Sequence, residues 1–408
     1  MTAEILSVGT EILLGTIVNT NAAFIAGELA KLGIATYRQT TVGDNHERLM
    51  AAFAAAFENA DMVITIGGLG PTQDDITKGT AAKYFGLGME THEASLNRIK
   101  ERFNGRPMPV NVERNALVTE NSTIFPNDNG AAPGICIEKD GKTLMLFPGP
   151  PHELEPMFKD YAVPFLRKKT DGVFFSRTLK IIGIGESKVE NMLQDLIDAQ
   201  TNPTIAPYAK MGEVHIRLTA SAQNETAAKN LIEPIAAEIY NRLSPNIYNE
   251  DDVTLPETVI NLLRAQGHTI AIAESCTGGK IASDLVAVAG CSDVFREGLV
   301  TYSNEAKVTR LGVEEGTLKA HGAVSSQTAA AMAEGVAKTS GASIGLSTTG
   351  VAGPDGGTPE KPVGLVHIGL YINGQGTQTI AHNLLGRRNA IRANAAMHAL
   401  DMLRRALE

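Results

Sequence analysis

Cysteine is scarce in this chain, and long apolar runs are missing from it. Three cysteines, Cys136, Cys276 and Cys291, are spread over 408 residues. An odd number at wide spacing excludes a disulfide framework and a zinc site built on paired ligands, so a reducing, cytoplasmic setting is expected. No stretch of 18 apolar residues occurs, and the opening segment MTAEILSVGTEILLG has no basic n-region. Neither export nor a membrane partner is therefore expected. Positive charge is in deficit: 36 Lys and Arg against 45 Asp and Glu leave a formal charge of -9. A broad nucleic-acid surface needs the reverse balance, although a local basic pocket stays open. Internal repeats and low-complexity tracts are absent as well.

What is present is ordinary globular material. The chain is 43% hydrophobic and 20% charged, far from a disordered composition, and its length exceeds what one core organises. Residues 3–8 read as a strand ending at Gly9-Thr10, and Asn19 opens an Ala/Leu-rich helix reaching residue 32. Residues 34–42 then read as a strand, 45–58 as a helix, and 62–66 as a buried strand running into GGLGPTQDD. This βαβαβ order predicts a parallel, doubly wound sheet with its crevice at the carboxyl ends of the strands. A further strand at 143–147 runs into PGPPHE, a helix follows over 154–167, and KKTDG reads as a linker. An α/β domain is thus placed at 1–170.

The order strand 177–182, helix 187–199, strands 204–208 and 213–220, helix 225–242 describes a small α+β unit at 171–250. SPNIYNEDDVTLP, rich in Pro, Asn and Asp, reads as the next linker. A second α/β domain occupies 251–408, with a helix near Pro256, a strand at 268–273 and a helix from Thr277. A strand at 298–302, helices near Glu305 and Ser325, strands at 343–347 and 363–371, and a long amphipathic helix over 387–407 complete it.

Chemistry concentrates in this last domain. AESCTGG places Ser275 and Cys276 at a strand end, and Thr277, Gly278 and Gly279 in the expected first turn of a helix. Free backbone N–H groups there suit an oxyanion or a phosphate, although small residues at such a turn also serve packing. VTYSNEAK adds Tyr302 and Lys307, and LSTTGVAGPDGG adds Thr349 with a glycine-rich loop containing Gly350 and Gly353. A serine hydroxyl needs a base, and a lysine supplies one when desolvation lowers its pKa from roughly 10.4 toward neutrality. Ser, Lys and Tyr therefore suffice without histidine; taken alone, Lys307 reads first as a solvated helix residue. Cys276 competes with Ser275, because a thiolate is intrinsically the better nucleophile. Arg388 and Arg392 lie four apart on one face of the last helix, placed either to grip a phosphate or to form a solvated basic face.

The three strings in this order resemble the C-terminal domain of the CinA (competence/damage-inducible) family, the nicotinamide mononucleotide amidohydrolases. The resemblance extends over the whole chain through GTEILLG, TIGGLGPTQDD and FPGPPHE. It implies hydrolysis of the carboxamide of nicotinamide mononucleotide to nicotinic acid mononucleotide and ammonia, without a cofactor. By motif position Ser275 would be the nucleophile, Lys307 its base, and Tyr302 and Thr349 partners in proton transfer and substrate positioning. The chain departs from the family pattern at Arg387, where a small or acidic residue is usual.

In the first domain GGLGPTQDD joins Gly67, Gly68, Gly70 and Thr72 to the adjacent carboxylates Asp74 and Asp75. Glycines let a backbone approach a phosphate, and one or two carboxylates plus substrate oxygens suit a divalent ion; a structural turn with a capping aspartate is the alternative. Glu11, Asn19 and Asn21 near the first strand, and Asp44 after the second, add polar groups. FPGPPHE adds a rigid turn with Pro148 and Gly149, followed by His152 and Glu153, which also fit an ordinary surface. This half resembles the molybdopterin-binding fold. In CinA-type proteins the resemblance implies a Mg, Mn or Co-dependent ADP-ribose pyrophosphatase giving AMP and ribose 5-phosphate.

The middle unit resembles a KH-like domain, but IIGIGES, residues 181–187, lacks the basic GxxG clamp that grips nucleic acid. Spacing of two heads, or a homodimer, is its expected role. The expectation is a bifunctional hydrolase of two NAD fragments, nicotinamide mononucleotide and ADP-ribose. Two alternatives remain: one silent head that only binds ligand, or an interaction protein of competence and recombination.

Overall fold

A computed structural model of the chain describes residues 1–103, 109–169 and 172–408. The chain divides into two compact units, Met1–Phe175 with Ser221–Lys229, and Ser176–Ala220 with Asn230–Glu408. The expected boundary between residues 170 and 171 lies outside the described residues.

The first unit contains β1 (Thr2–Val8), β2 (Ala35–Val42), β3 (Met62–Ile66), β4 (Met89–Thr91), β5 (Leu117–Thr119), β6 (Thr123–Phe125), β7 (Gly134–Lys139) and β8 (Lys142–Phe147). Six of these form one sheet in the order β2-β1-β3-β8-β7-β6. The β2-β1-β3-β8 part is parallel, as the βαβαβ reading requires, but β7 and β6 continue it antiparallel. The all-parallel expectation is corrected at that edge, where a two-residue turn from β7 into β8 leaves no room for a crossover helix. β1 buries Ile5 on one face and Leu6 on the other, as alternation across a strand demands. Ile5 packs with Ile25, Leu29 and Phe158, and Leu6 with Leu49 and Phe53.

Helices Thr20–Lys31 and His46–Phe57 start where Asn19 and Asn45 accept the backbone N–H of Ala22 and Arg48. The helix expected over 154–167 is broken into Pro151–Met157, a wide π turn at Phe158–Ala162, and Val163–Arg167. Pro164 has no N–H to offer the carbonyl four residues back, and the turn widens where that bond is missing.

In the second unit β9 (Val173–Ile182), β10 (Thr204–Lys210), β11 (Glu213–Ala222) and β12 (Ile247–Glu250) form a four-stranded sheet in the order β10-β11-β9-β12. β12 corrects the expected linker SPNIYNEDDVTLP, because Ile247 and Tyr248 are buried and β12 pairs antiparallel with β9. The last sheet runs β14-β13-β15-β16-β17, from β13 (Ile270–Glu274), β14 (Phe295–Val300), β15 (Ile344–Gly350), β16 (Leu365–Ile372) and β17 (Gly376–Asn383). β13 is parallel to both neighbours, and the remaining pairings are antiparallel.

β17 and the helix Glu315–His321 carry no clear period in the sequence and were not expected. Helix Arg388–Leu407 covers one sheet face through Ile391, Ala395 and Leu403, and helix Ser326–Ser340 covers the other through Met332 and Val336. The second contact is backbone to backbone: a Cβ on Gly345 would stand 1.9 Å from the Ala333 carbonyl oxygen. Among the described residues no helix is long and apolar enough to cross a membrane.

Candidate functional site

Ser275 stands at the carboxyl end of β13, the central strand of the parallel part of its sheet. Pairing continues past the strand ends: Ser275 donates its N–H to the Thr348 carbonyl at 3.0 Å, and Glu274 accepts the Thr301 N–H at 2.8 Å. Both neighbouring strand ends are thereby fixed around the serine. From β14 the chain turns into helix Asn304–Leu311, capped by Ser303, and Lys307 on that helix reaches back. Its Nζ lies 3.2 Å from Ser275 Oγ, 2.8 Å from the Thr301 carbonyl and 3.3 Å from the Tyr302 carbonyl.

Lys307 is completely buried, and burial lowers its pKa from the ordinary lysine value. As an ammonium, Lys307 gives one hydrogen to each of these three oxygens; as the neutral amine that burial favours, it keeps two for the carbonyls and turns its lone pair to the serine hydroxyl. The reading of Lys307 as a solvated helix residue is thereby set aside.

These groups line a cavity of about 180 Å³ together with Tyr302, Ala323, Val324, Thr349, Gly350, Ala352 and Arg388. Cys276 is also at its wall, but burial pushes the thiol up to about 11, so the stronger nucleophile is held in its weaker form. Tyr302 is largely exposed at the mouth. Thr349 Oγ1 donates to the Ala323 carbonyl at 2.7 Å, which commits its proton to the backbone.

Four expected site residues are placed differently. Thr277 is buried, with its hydroxyl 2.7 Å from that of Thr348. Gly278 and Gly279 lie in left-handed conformations before the helix, which begins only at Lys280. Arg392 donates to the carbonyls of Cys276 and Thr277 at 3.2 and 2.7 Å, holding the loop after the serine rather than presenting a free fork. The expected anion site at the helix start is already filled by Glu274, whose buried carboxylate accepts the N–H groups of Gly279, Ile281 and Ala282 at 2.9, 3.2 and 2.8 Å. Sequence reasoning missed Glu274, which ends β13 four residues before the glycine pair and reaches the helix start only because the loop folds back over it. Arg388 lines the cavity and donates to the Gly353 carbonyl at 2.6 Å; Gly353 itself is not among the lining residues.

The first unit holds a larger cavity, about 620 Å³, at the carboxyl ends of β1, β3 and β8. It gathers Glu11, Asn19, Asn21, Asp44, Gly67, Gly68, Gly70, Asp74, Asp75, Pro148 and Gly149. Gly67, at φ +99°, approaches so closely that a Cβ would meet the Val8 carbonyl oxygen at 2.4 Å. Thr72 is not among the lining residues; its N–H and hydroxyl both go to the Asp75 carboxylate, the former at 2.9 Å. Asp44 accepts the N–H and hydroxyl of Thr10, each at 2.9 Å.

Asn21 donates to the Gly149 carbonyl at 2.6 Å, while its buried Oδ1 has no partner. Glu153 lines the cavity, whereas His152 is exposed and is not among the lining residues. Among the described residues no group of three or more His, Cys, Asp or Glu side chains could hold a metal ion by itself. Asp74 and Asp75 beside a glycine turn fit an ion that completes its shell with substrate oxygens and water. Lys78, missed in the sequence, is buried and pushed down to about 8. It donates to the carbonyls of Arg114 and Asn115 at 2.9 and 3.3 Å, and Asn115 lines the cavity.

Three family descriptions match the chain in order: the probable molybdopterin binding domain over 4–168, the damage-inducible protein CinA KH domain over 176–249, and the CinA C-terminal domain over 252–407. They define a mixed α/β protein with a molybdopterin-binding-like domain, a small KH-like domain and a serine/lysine-bearing α/β domain. The chain belongs to the CinA family. It is 52% identical to a CinA-like protein of Kosmotoga olearia and 52% identical to a putative competence-damage inducible protein of Clostridium novyi, each aligned over 100% of this chain and 99% of the relative. Among solved structures, the competence/damage inducible protein CihA of Agrobacterium tumefaciens is 42% identical, matching 38% of this chain and 93% of its own at a TM-score of 0.37. The protein CinA of Thermoplasma acidophilum, described as of unknown function, is 35% identical, matching 40% and 95% at a TM-score of 0.38.

Proposed function

We propose that the C-terminal domain is a serine amidohydrolase of nicotinamide mononucleotide, and that the N-terminal domain cleaves the pyrophosphate of ADP-ribose with a divalent ion. The observation that carries the first half is the buried Lys307 amine at 3.2 Å from Ser275 Oγ. Lys307 takes the hydroxyl proton as Ser275 Oγ attacks the carboxamide carbon. The same proton then passes to the departing nitrogen, the C–N bond breaks, and ammonia leaves an acyl ester on Ser275. Lys307, neutral again, deprotonates a water that attacks the ester; the acid is released and the serine recovers its proton.

A cavity of about 180 Å³, below the roughly 300 Å³ lower end of whole-ligand clefts, admits the carboxamide ring and leaves ribose and phosphate at the mouth. Arg388 and the exposed Tyr302 stand there. Glu274 supports the same orientation, since its carboxylate at the helix start repels a phosphate from the inner end.

In the N-terminal cavity Asp74 and Asp75 would hold the ion, which when bound would polarise the pyrophosphate and supply activated water. The glycine turn at Gly67–Gly68 lets phosphate approach the backbone, and the free Asn21 Oδ1 accepts a substrate hydroxyl or amino hydrogen. The lack of a three-ligand cluster among the described residues favours, as the second reading, a first domain that only binds its nucleotide.

Incubating the full chain with each substrate, with and without chelator, and identifying products by mass decides between them. Nicotinic acid mononucleotide should form with or without chelator. AMP and ribose 5-phosphate should form only in the presence of the divalent ion. Absence of the first product discards the serine/lysine reading, and absence of the second leaves the binding-only reading.

A further inference from the structure

A third cavity, about 730 Å³, lies within the second unit between the KH-like domain and the last helix. Its volume is in the range of roughly 300 to 1,000 Å³ usual for small-molecule sites, and neither proposed reaction uses it. One wall is made by His382 of β17 and His398 of helix Arg388–Leu407, stacked with ring centroids 4.2 Å apart and planes 22° apart. The floor carries one carboxylate, Asp401, which is already saturated. It accepts Arg404 Nε and Nη2 at 2.9 and 2.6 Å and Arg405 Nε at 2.8 Å.

Arg405 is anchored through Nε, and its Nη2 stands 3.5 Å from the Cβ position of Gly183, another lining residue. Gln378, on the same face of β17 as Ile380 and His382, adds an amide. Gly183 belongs to IIGIGES, the segment that lacks a nucleic-acid clamp; at φ +84° it lies against Asn246 and Arg405, so a side chain there would intrude on the cavity.

The lining is thus rich in donors, has its single carboxylate neutralised, and contains two imidazoles able to take up protons. We propose that this cleft binds a small phosphomonoester, with Arg405 gripping the phosphate, Gln378 adding a further bond, and the histidine pair accepting a proton as the anion enters. A dianion with several acceptor oxygens matches a guanidinium fork flanked by neutral donors.

The charged groups facing the histidines are Asp401 and Arg405, both on the last helix; the KH-like domain contributes only uncharged lining residues. Burial lowers both histidines, His398 to about 4, and the neighbouring ring lowers His398 further. They are therefore neutral near pH 7 until an anion compensates the charge.

The test is histidine Cε1–H NMR on the full chain, with the two signals assigned through His382→Gln and His398→Gln. Adding inorganic phosphate or AMP should shift both signals and raise their titration midpoints by about one unit. Ligand at either catalytic cavity leaves these signals where they are. Arg405→Met should weaken the response to AMP by about tenfold or more, and Gln378→Ala, at an exposed strand position, by a few-fold. Signals unmoved at millimolar phosphate and AMP would overturn the proposal. So would equal responses to adenosine and AMP, to a carboxylate such as nicotinate and AMP, or in both variants and the parent.

Discussion

The two cavities proposed as reaction sites differ in how much of the chemistry the chain would bring itself. The C-terminal one is small and holds a serine hydroxyl and a buried lysine amine already in contact. The N-terminal one is more than three times larger and offers glycine backbone, single carboxylates and an unpaired amide oxygen, none of them a base in contact with a nucleophile. A site that activates a side chain can be finished during folding. A site that acts through an ion and phosphate oxygens is completed only when its ligand arrives. On the proposed reading the same chain would contain a preassembled reaction centre and a conditional one.

The sharpest break in that contrast is Ser275→Ala, which should reduce nicotinamide mononucleotide hydrolysis by a factor on the order of 10⁴ or more, measured as ammonia release. ADP-ribose cleavage by the same variant should match the parent; loss of both would show that the reactions share a centre. Lys307→Arg keeps the charge but cannot give up its proton near neutral pH. It should cost about a hundredfold or more in turnover, and Lys307→Met serves the same purpose if the larger side chain unfolds the site. The pH profile gives an independent reading.

Burial lowers the Lys307 pKa, so the base is charged and inactive below that pKa. kcat/KM should rise with pH through it and level off at a pH below the ordinary lysine range; a profile still rising at pH 10 would identify a solvated lysine. The linked stability has the same sign. The folded state binds fewer protons than the unfolded state between the lowered and the ordinary lysine pKa, so stability gains with pH across that window.

Smaller effects sharpen the difference between built and borrowed parts. Glu274→Gln removes the charge that caps three backbone N–H groups. A loss of about 1 to 2 kcal/mol is expected, read as a lower denaturation midpoint, with a several-fold loss of amide hydrolysis because the serine loop is shared. Cys276→Ala should change turnover only a few-fold, since the thiol is pushed up to about 11. A collapse of activity in Cys276→Ala, with Ser275→Ala active, would transfer the nucleophile.

Legibility in the sequence followed locality. Met62–Ile66 was readable to the residue because five consecutive apolar or β-branched residues end at a glycine pair. Asn19 and Asn45 announced their helices through the chemistry of capping. β12 was hidden, because Asn and Asp around Ile247 and Tyr248 mimic a linker, and only pairing with β9 and burial of Tyr248 in the core shared with helix Leu255–Ala265 make the segment a strand. In the site, Ser275 and Lys307 were identifiable as residue types, but their contact spans 32 residues and depends on strand order. Arg392 and Thr277 show the converse: charge suggested a phosphate grip for the first and an expected helical first turn suggested free N–H groups at the second, whereas both side chains make internal bonds that no local pattern reports and the helix begins only at Lys280.

The hydrogen bonds of Lys307 also bear on the order in which the centre can form. Two of its three partners are the carbonyls of Thr301 and Tyr302, six and five residues earlier in the chain. A segment of seven residues, one tight turn entering one capped helix, therefore sets the rotamer of the amine before any distant strand is in place. Such short-range closure is among the fastest steps of folding, and pairing between remote strands among the slower ones. The amine proposed as general base would then be poised in advance, and the docking of β13 beside β14 would bring Ser275 to it, so maturation of the centre should coincide with a single strand-pairing event.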